Sequence, residues 1–397
     1  MTWLELDDAT LEARGGAFTA EEIARQPQCW RDTVALLQSE RARIRAFLDP
    51  LLARPGMRVI LTGAGTSAYI GQCLLPQLLG RLALRAEAIA TTDLVSSPRT
   101  WFQRDVPTLL VSFARSGGSP ESLAAVELAD QCLADVHHLV VTCNAEGALY
   151  KACRARPLAL ALALPEATHD RGFAMTASFT SMLYAGLALL LGIDEAARSV
   201  AAVATATERV LAEACSVMRV LAGLSFTRVV FLGSGSLAAL AAEAALKVME
   251  LSDGQVATFS QSPLGFRHGP KAVVDRDTLV VMFMSGDALA ARYDLDLLRE
   301  LSGDDAAGAL LAIGEGDDPG LPDVAWLRVP SPGTGQGTGH GTAAGAANDA
   351  LLMFPYIACA QMYAFFRSLE LGRRPDAPND TGVVNRVVRG VTLHGLG

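Results

Sequence analysis

Apolar and polar positions divide the chain into short apolar runs separated by longer mixed stretches. Each run has four to seven residues and lacks the polar alternation of a strand that is exposed on one face. The runs occur twice in the same order, at an offset of roughly 170 residues, and the second and fifth pairs are weaker than the others. The pairs are Arg58–Leu61 with Arg228–Leu232, Glu87–Ala90 with Ala257–Ser260, Thr108–Phe113 with Thr278–Met284, Leu139–Cys143 with Ala309–Ile313, and Leu158–Leu164 with Val324–Val329. The pattern predicts ten strands of buried parallel sheet.

Stretches rich in Ala, Leu, Glu and Lys lie between these runs and favour helices. They include Ser67–Leu79, with Pro76 as a predicted kink, Pro120–Leu133 and Leu237–Leu251. Alternating strands and helices require right-handed crossovers and form a doubly wound sheet. We therefore predict an α/β protein of two tandem, doubly wound, five-stranded parallel-sheet domains, each with three αβα layers, at about 45–195 and 205–370.

Both ends of the chain lie outside the repeat. Thr19-Ala20-Glu21-Glu22 has the pattern of a capping box and predicts the start of a helix within an N-terminal helical segment, residues 1–44. A second helix is expected at about Arg31–Ala53. The Gly- and Thr-rich stretch Gly333–Gly345 has the composition of a flexible loop and follows the last predicted strand, on the face where such folds bind ligands. Residues 371–397 form a C-terminal tail.

Composition and charge narrow the function. The 397 residues are 51% hydrophobic and 19% charged, which is typical of a folded globular protein. The net charge is −9, and the longest basic run is the pair Arg373-Arg374, so a nucleic-acid partner is not expected. The acidic start predicts no signal peptide, and the apolar stretch Met182–Leu191 is too short to cross a membrane.

Cysteines and histidines give no sign of a metal centre. The seven cysteines form no CxxC pair and are expected to be reduced core thiols in the cytoplasm. The six histidines are scattered, with only His137 and His138 adjacent. We predict no metal and no cofactor.

Two turns after predicted strands have the composition of anion-binding loops. Ser116-Gly117-Gly118-Ser119 precedes a helix with Ser119 as its cap and Pro120 at its first position. A helix N-terminus offers free N–H groups and partial positive charge, which suits a phosphate, although an ordinary capped turn has the same residues. Thr62–Ser67 forms a similar turn; its Gly-x-Gly lacks the third glycine and the acidic residue of a dinucleotide site.

The predicted helix at Leu237–Leu251 carries a line of charged residues. Glu243, Lys247 and Glu250 are three and four residues apart, and so lie on one helical face. Lys247 can keep Glu250 ionised or lie beside a substrate. An exposed stripe of ion pairs is the alternative explanation of the same spacing.

Several motifs in order resemble one protein family. The alanine-rich helix Ala241–Leu251, followed by Phe266-Arg267-His268-Gly269-Pro270-Lys271, resembles the catalytic helix and His-Gly-Pro segment of SIS-domain sugar-phosphate isomerases, such as the isomerase part of glucosamine-6-phosphate synthase. Further segments resemble the narrower AgaS-like branch of tagatose-6-phosphate ketose/aldose isomerases and galactosamine-6-phosphate deaminases: Thr19–Trp30, Ser112–Ser122, Thr168–Thr176, Ser260–Lys271 and Val384–Thr392. The resemblance covers nearly the whole chain.

The resemblance implies roles for individual residues. It implies that Glu250 is the base that moves a proton between C1 and C2, and that His268 helps to open the sugar ring. It implies Lys247 and Arg389 as further catalytic groups. The phosphate-binding residues implied are Thr66, Ser67, Arg115, Ser116 and Ser119, and the sugar-binding residues are Asp170, Arg171 and Thr176.

Two positions depart from the wider family. Ala114 replaces a phosphate-binding serine, and Arg115 is a candidate to compensate for the lost donor. Arg389 replaces a lysine, and an arginine cannot form a Schiff base, so it can only bind or polarise the substrate. The sequence has no N-terminal glutaminase domain, and residue 2 is Thr rather than the nucleophilic Cys of such domains, so release of ammonia is the expected direction.

The resemblance implies an enzyme that converts galactosamine 6-phosphate and water into tagatose 6-phosphate and ammonia. The alternatives are an aldose–ketose isomerase, a glucosamine-6-phosphate deaminase, and a sugar-phosphate-binding regulator without turnover. In the family, the histidine that corresponds to His268 enters the site of a neighbouring subunit, so the resemblance implies a homodimer with shared active sites.

Overall fold

The computed structural model describes residues 2–82, 84–333, 342–388 and 390–396, with 342–347 described as backbone only. The chain divides into two compact units. The first-sheet unit comprises Gln28–Asp170, Ala177–Val200 and Thr381–Gly397. The second-sheet unit comprises Met1–Pro27, Arg171–Thr176 and Ala201–Asp380.

The ten predicted strands are all present and form two parallel five-stranded sheets, which confirms the predicted fold class. A short antiparallel pair near the N-terminus was not predicted. The strands are β1 (Thr2–Trp3), β2 (Leu6–Asp7), β3 (Arg58–Thr62), β4 (Arg85–Ala88), β5 (Thr108–Ala114), β6 (Val136–Thr142), β7 (Ala159–Ala163), β8 (Arg228–Gly233), β9 (Ala257–Gln261), β10 (Thr278–Phe283), β11 (Ala309–Gly314) and β12 (Val324–Arg328).

Helices occupy most of the remaining described residues. They are α1 (Asp8–Arg14), α2 (Ala17–Ser39), α3 (Arg41–Leu52), α4 (Thr66–Leu79), α5 (Thr91–Ser96), α6 (Pro98–Trp101), α7 (Pro120–Cys132), α8 (Ala148–Arg154), α9 (Ala177–Leu191), α10 (Ile193–Glu213), α11 (Cys215–Gly223), α12 (Ser236–Leu251), α13 (Pro263–Phe266), α14 (Ala288–Asp304) and α15 (Thr342–Glu370). Residues 196–204, between the two predicted domains, lie within α10.

The two sheets have the same topology. The orders are β4-β3-β5-β6-β7 and β9-β8-β10-β11-β12, so in each sheet the second strand lies beside the first, at the edge. All residues of β3, β5 and β10 are buried, as continuous apolar runs require, whereas the edge strands β9 and β12 are partly exposed. The chain leaves the first strand on one side and returns on the other, which creates a topological switch point in each sheet.

The N-terminal helices differ from the prediction. Helix α2 begins at Ala17, so Thr19 is its third residue and not its cap. Asp376 caps α2 instead: its carboxylate accepts hydrogen bonds from the N–H groups of Phe18 (3.1 Å) and Thr19 (2.8 Å), and from the Thr19 hydroxyl (2.7 Å). The helix then continues to Ser39, and a separate helix, α3, starts at Arg41.

The region after β12 contains the stretch predicted to be a flexible loop. Of the expected loop Gly333–Gly345, residues 334–341 lie outside the described part of the chain, and the backbone from Thr342 onward is helical. Asn348–Glu370 of α15 is long and apolar enough to cross a membrane, but 94% of its apolar window is buried. Helix α15 packs against α11 and α12 as a core helix of the second-sheet unit.

Candidate active site

Two turns at the switch point of the first sheet carry most of the predicted phosphate-binding residues. Strands β3 and β5 pair in parallel with Thr62 beside Ser112, so the turns that follow them lie at the same edge of the sheet. Gly65 has a φ of 55° and opens α4, with Thr66 and Ser67 buried in its first turn. A Cβ on Gly63 would lie 2.5 Å from the backbone of Ser67, so only glycine permits this close turn.

The second turn combines a helix cap with two half-buried serines, Ser116 and Ser119. Ser119 caps α7: its hydroxyl oxygen accepts from the N–H of Ser122 at 3.3 Å and lies 2.7 Å from the Ser122 hydroxyl. The Ser116 hydroxyl accepts from the N–H of Gly118 at 3.3 Å. Gly117 has a φ of 59°, a conformation that favours glycine. The predicted cap and Pro120 at the first helical position are thus confirmed, and both serines lie at the N-terminus of a 13-residue helix.

Arg115 connects this turn to the C-terminal tail. Its Nη2 donates to the backbone carbonyl of Arg386 at 2.7 Å, and the Arg386 guanidinium donates to the backbone carbonyl of Asp170. Burial lowers the pKa of the adjacent His169, and the positive charges of Arg386 and Arg115 lower it further. Arg386 was not predicted from the sequence, because it lies 271 residues from Arg115 and no local pattern links the two. Arg389 lies outside the described residues.

Asp170 has a structural role that differs from the predicted contact with sugar. Its buried carboxylate accepts from the N–H groups of Ala177 (3.1 Å) and Ser178 (2.9 Å) and from the Ser178 hydroxyl (2.5 Å). These bonds satisfy the free N–H groups at the start of α9. The carboxylate is a helix cap that is shielded from solvent, and a contact of Asp170 with sugar stays a prediction.

Arg171 and Thr176 belong to the second-sheet unit. The Arg171 guanidinium donates to Glu21 at 2.7 Å and lies 4.1 Å above the ring centroid of Phe18. Its backbone N–H donates to Glu22 at 2.5 Å. Arg171 therefore ties its loop to the start of α2, while the Thr176 side chain is buried.

Helix α12 carries a cluster of three charged side chains. Lys247 is fully buried; its ammonium lies 3.4 Å from the buried carboxylate of Glu243 and donates a hydrogen bond to Glu250. The Glu250 side chain is 25% exposed. The predicted face is therefore a buried network that ends in one accessible carboxylate, and not an exposed ion-pair stripe.

His268 lies in the second-sheet unit on an exposed segment between α13 and Pro270–Val273. The residues on either side of it fix this segment to α14. Arg267 donates to Glu300 at 2.7 Å, and Lys271 forms ion pairs with both Glu300 and Asp304. The backbone N–H of His268 donates to Gly265 at 3.0 Å, so the imidazole is presented to solvent from an anchored loop.

Within the described ranges, no group of three or more His, Cys, Asp or Glu side chains is placed to hold a metal ion. All seven cysteines are free, and six of them are buried.

Comparison with known proteins gives consistent results. The family model for the SIS domain matches residues 225–304. A protein of Streptomyces coelicolor, provisionally named D-galactosamine-6-phosphate deaminase AgaS, is 45% identical over 396 residues, which are 99% of this chain and 98% of that protein. D-galactosamine-6-phosphate deaminase AgaS of Shewanella sp. is 41% identical, covering 98% of this chain and 95% of that protein.

Solved structures show the same relationship. The crystal structure of tagatose-6-phosphate ketose/aldose isomerase from Escherichia coli is 38% identical, with a TM-score of 0.84, over 96% of this chain and 97% of that chain. The similarity therefore extends over both sheets and the tail, and not over one domain alone.

Proposed function

We propose that this chain, which belongs to the AgaS family of SIS-domain proteins, is a hexosamine-phosphate deaminase. The proposed reaction converts galactosamine 6-phosphate and water into tagatose 6-phosphate and ammonia. The relatives that are 41–45% identical over nearly the full chain carry the name of this activity. The structural observation that supports catalysis is the charged cluster on α12. In this cluster the buried ammonium of Lys247 binds the partly exposed carboxylate of Glu250.

Glu250 is the proposed base. Aldose–ketose exchange needs one carboxylate that can take a proton from C2 and return it to C1. The ion pair with Lys247 fixes the orientation of this carboxylate, and the fully buried Lys247 acts through Glu250 and not by touching the sugar. Glu243 balances the charge of the buried ammonium.

The remaining roles follow from the same chemistry. His268 exchanges the proton that opens the sugar ring. Transfer of the C2 proton to C1 turns the C2 amine into a ketimine. Water then adds to C2 and gives a carbinolamine. The C–N bond breaks, the nitrogen takes up the proton of the C2 hydroxyl and leaves as ammonia, and C2 becomes the ketone. Thr66, Ser67, Ser116 and Ser119 bind the 6-phosphate, which suits turns of small residues at helix N-termini.

The tail, residues 371–397, is proposed to contribute to the site through its link to the phosphate-binding turn. Arg115 holds the carbonyl of Arg386, so its guanidinium connects the turn with the tail. We propose that Arg389 follows this anchor and binds or polarises the sugar, since an arginine stays charged. We also propose the domain bounds predicted from the sequence, 45–195 and 205–370 for the two SIS domains.

Plain isomerisation of tagatose 6-phosphate is the second candidate. It is favoured by the name of the Escherichia coli structure that is 38% identical to this chain. This reaction uses the same base, on a sugar phosphate that has no amino group. A glucosamine 6-phosphate substrate differs only at C4, and no residue described here is tied to that hydroxyl. A regulator that binds without turnover is disfavoured by the presence of both Glu250 and His268.

We further propose a cytoplasmic homodimer with shared active sites. Seven free cysteines are consistent with a reducing compartment. The exposed His268, on a loop that two ion-paired side chains fix to α14, is suited to reach a neighbouring subunit.

The reaction is tested by following galactosamine 6-phosphate in D₂O by NMR. We expect equal amounts of tagatose 6-phosphate and ammonia, with deuterium at C1, because a proton held by a carboxylate exchanges with solvent. Glucosamine 6-phosphate and tagatose 6-phosphate serve as parallel substrates. Conversion of tagatose 6-phosphate alone, with no ammonia from either hexosamine, would favour the isomerase.

A further inference from the structure

The second sheet has its own copy of the two turns described above. Gly235 has a φ of 58° and opens α12, as Gly65 with a φ of 55° opens α4. Strands β8 and β10 pair in parallel, with Gly233 beside Phe283, so the turns that contain Ser234 and Ser285-Gly286 lie at one edge. These turns offer the same types of donor as the first pair, namely serine hydroxyls and backbone N–H groups.

Two carboxylates of the same unit accept from these donors. Asp294 of α14 accepts from the Ser234 hydroxyl at 2.6 Å and from the Ser285 N–H at 2.9 Å. Asp349 of α15 accepts from the Ser285 hydroxyl and from the Gly286 N–H, both at 2.6 Å. Each of the carboxylate oxygens thus accepts one hydrogen bond, as the oxygens of a bound phosphate would.

Both carboxylates are inside the protein. Asp294 and Asp349 are buried, and burial raises the pKa of each to about 6. The charges of Asp294 and Asp287 raise the pKa of Asp349 further. Buried carboxylates are stable only where hydrogen bonds replace water, and the donors of the two turns supply those bonds.

The first sheet lacks this arrangement. Asp294 is the seventh residue after the α14 cap, Asp287, and the seventh residue after the α7 cap, Ser119, is the buried Val126. Within the part of the chain that the structure describes, no carboxylate accepts a hydrogen bond from Ser116 or Gly117. The two copies of the turn therefore differ in what their donors bind.

We propose that Asp294 and Asp349 occupy the anion-binding position of the second sheet, so that each chain binds one phosphorylated ligand, at the turns of the first sheet. The inference rests on the phosphate-binding role proposed for those turns. The space outside the second pair of turns supports it: a cavity of about 280 Å³ is lined by Ser234, Asp287, Leu289 and Tyr293 among others. The described residues that line this cavity include one carboxylate and no lysine or arginine, a lining that does not suit a sugar phosphate.

The test counts inorganic phosphate bound per chain by equilibrium dialysis. The opened variant Asp294→Ala/Asp349→Ala frees the hydroxyls and N–H groups and is expected to bind one phosphate more per chain than the wild type. The control Asp296→Ala/Asp317→Ala removes the same charge from exposed positions and is expected to match the wild type. If the opened variant does not fold, Asp349→Ala alone frees Ser285 and Gly286 and is expected to add one weaker site.

Two results would overturn the inference. One is a wild-type chain that already binds two phosphates. The other is a folded opened variant that binds no more phosphate than the wild type. The ammonia assay on the same preparations separates this outcome from the proposed function, since a deaminase can keep its activity whatever the second turn binds.

Discussion

The ammonium of Lys247 lies 3.4 Å from the carboxylate of Glu243, and both side chains are fully shielded from solvent. A buried lysine needs a counter-charge, and a buried glutamate needs the same. The charges of the pair therefore balance inside α12, and Lys247 also holds the partly exposed carboxylate of Glu250. Two functions, stability and orientation of the base, depend on one lysine.

Replacing Lys247 should destabilise the fold strongly. Lys247→Met keeps the volume but removes the counter-charge of Lys247 from the buried Glu243 carboxylate, and breaking a buried ion pair typically costs about 3–5 kcal/mol. The free energy of unfolding in urea measures this change. Lys151→Met is the control, because Lys151 pairs with Glu146 on the surface, where such pairs contribute about 1 kcal/mol or less. Similar losses for the two variants would contradict a buried charge network.

Removal of the phosphate-binding hydroxyls should weaken substrate binding selectively. Ser116→Ala and Ser119→Ala each remove one donor to a dianion, which typically costs about 1.5–3 kcal/mol. KM for the 6-phosphate sugar should rise, while inhibition by the unphosphorylated sugar stays weak and unchanged. Ser119→Ala also loses the α7 cap, so its stability should fall by about 1 kcal/mol. Equal losses for both ligands would show that the serines only shape the turn.

Stability should depend on pH through Asp294. Burial raises its pKa from 3.8 to about 6, so the folded state holds the proton more tightly than the unfolded chain. The stability from this group is complete below about pH 4 and is lost as the pH rises through about 6. The free energy of unfolding of the wild type, relative to Asp294→Asn, should therefore fall by about 3 kcal/mol between about pH 4 and 7. A difference that does not change with pH would contradict the buried position of this carboxylate.

Mixed subunits test the shared site. Glu250→Gln and His268→Ala are each expected to be inactive as homodimers. If the two residues serve one site from different chains, a mixed dimer has one intact site and regains at most about half of the activity of a wild-type dimer. If both come from the same chain, no activity returns. Sedimentation as a monomer at micromolar concentration would also contradict the shared site.

The sequence predicted the sheets because their strands are buried on both faces. Runs such as Thr108–Phe113 are mostly apolar and lack the polar alternation of a strand that is exposed on one face. The weaker run Glu87–Ala90 belongs to an edge strand, and β4 lies two residues earlier, at Arg85–Ala88. Edge strands are partly exposed, so their ends are less clearly marked in the sequence.

Contacts between distant residues could not be predicted. The capping-box pattern at Thr19–Glu22 suggested a helix start, but the cap is Asp376, 357 residues further along the chain. Glu22 instead accepts hydrogen bonds from the backbone of the Arg171-Gly172 loop. Asp170 was predicted to bind sugar because of its motif, although its carboxylate caps α9. Local patterns identify residue types that can cap a helix, and only the fold determines which residue does so.

The most direct test of the account is ammonia release from galactosamine 6-phosphate by the purified protein and by Glu250→Gln. The wild type should release ammonia without added metal or nucleotide, and EDTA should not inhibit it. Glu250→Gln keeps the shape of the side chain but removes the base, so kcat should fall by about 10²–10⁴-fold with little change in KM. A variant that keeps the wild-type kcat, or a wild-type protein that releases no ammonia from any hexosamine phosphate, would contradict the account.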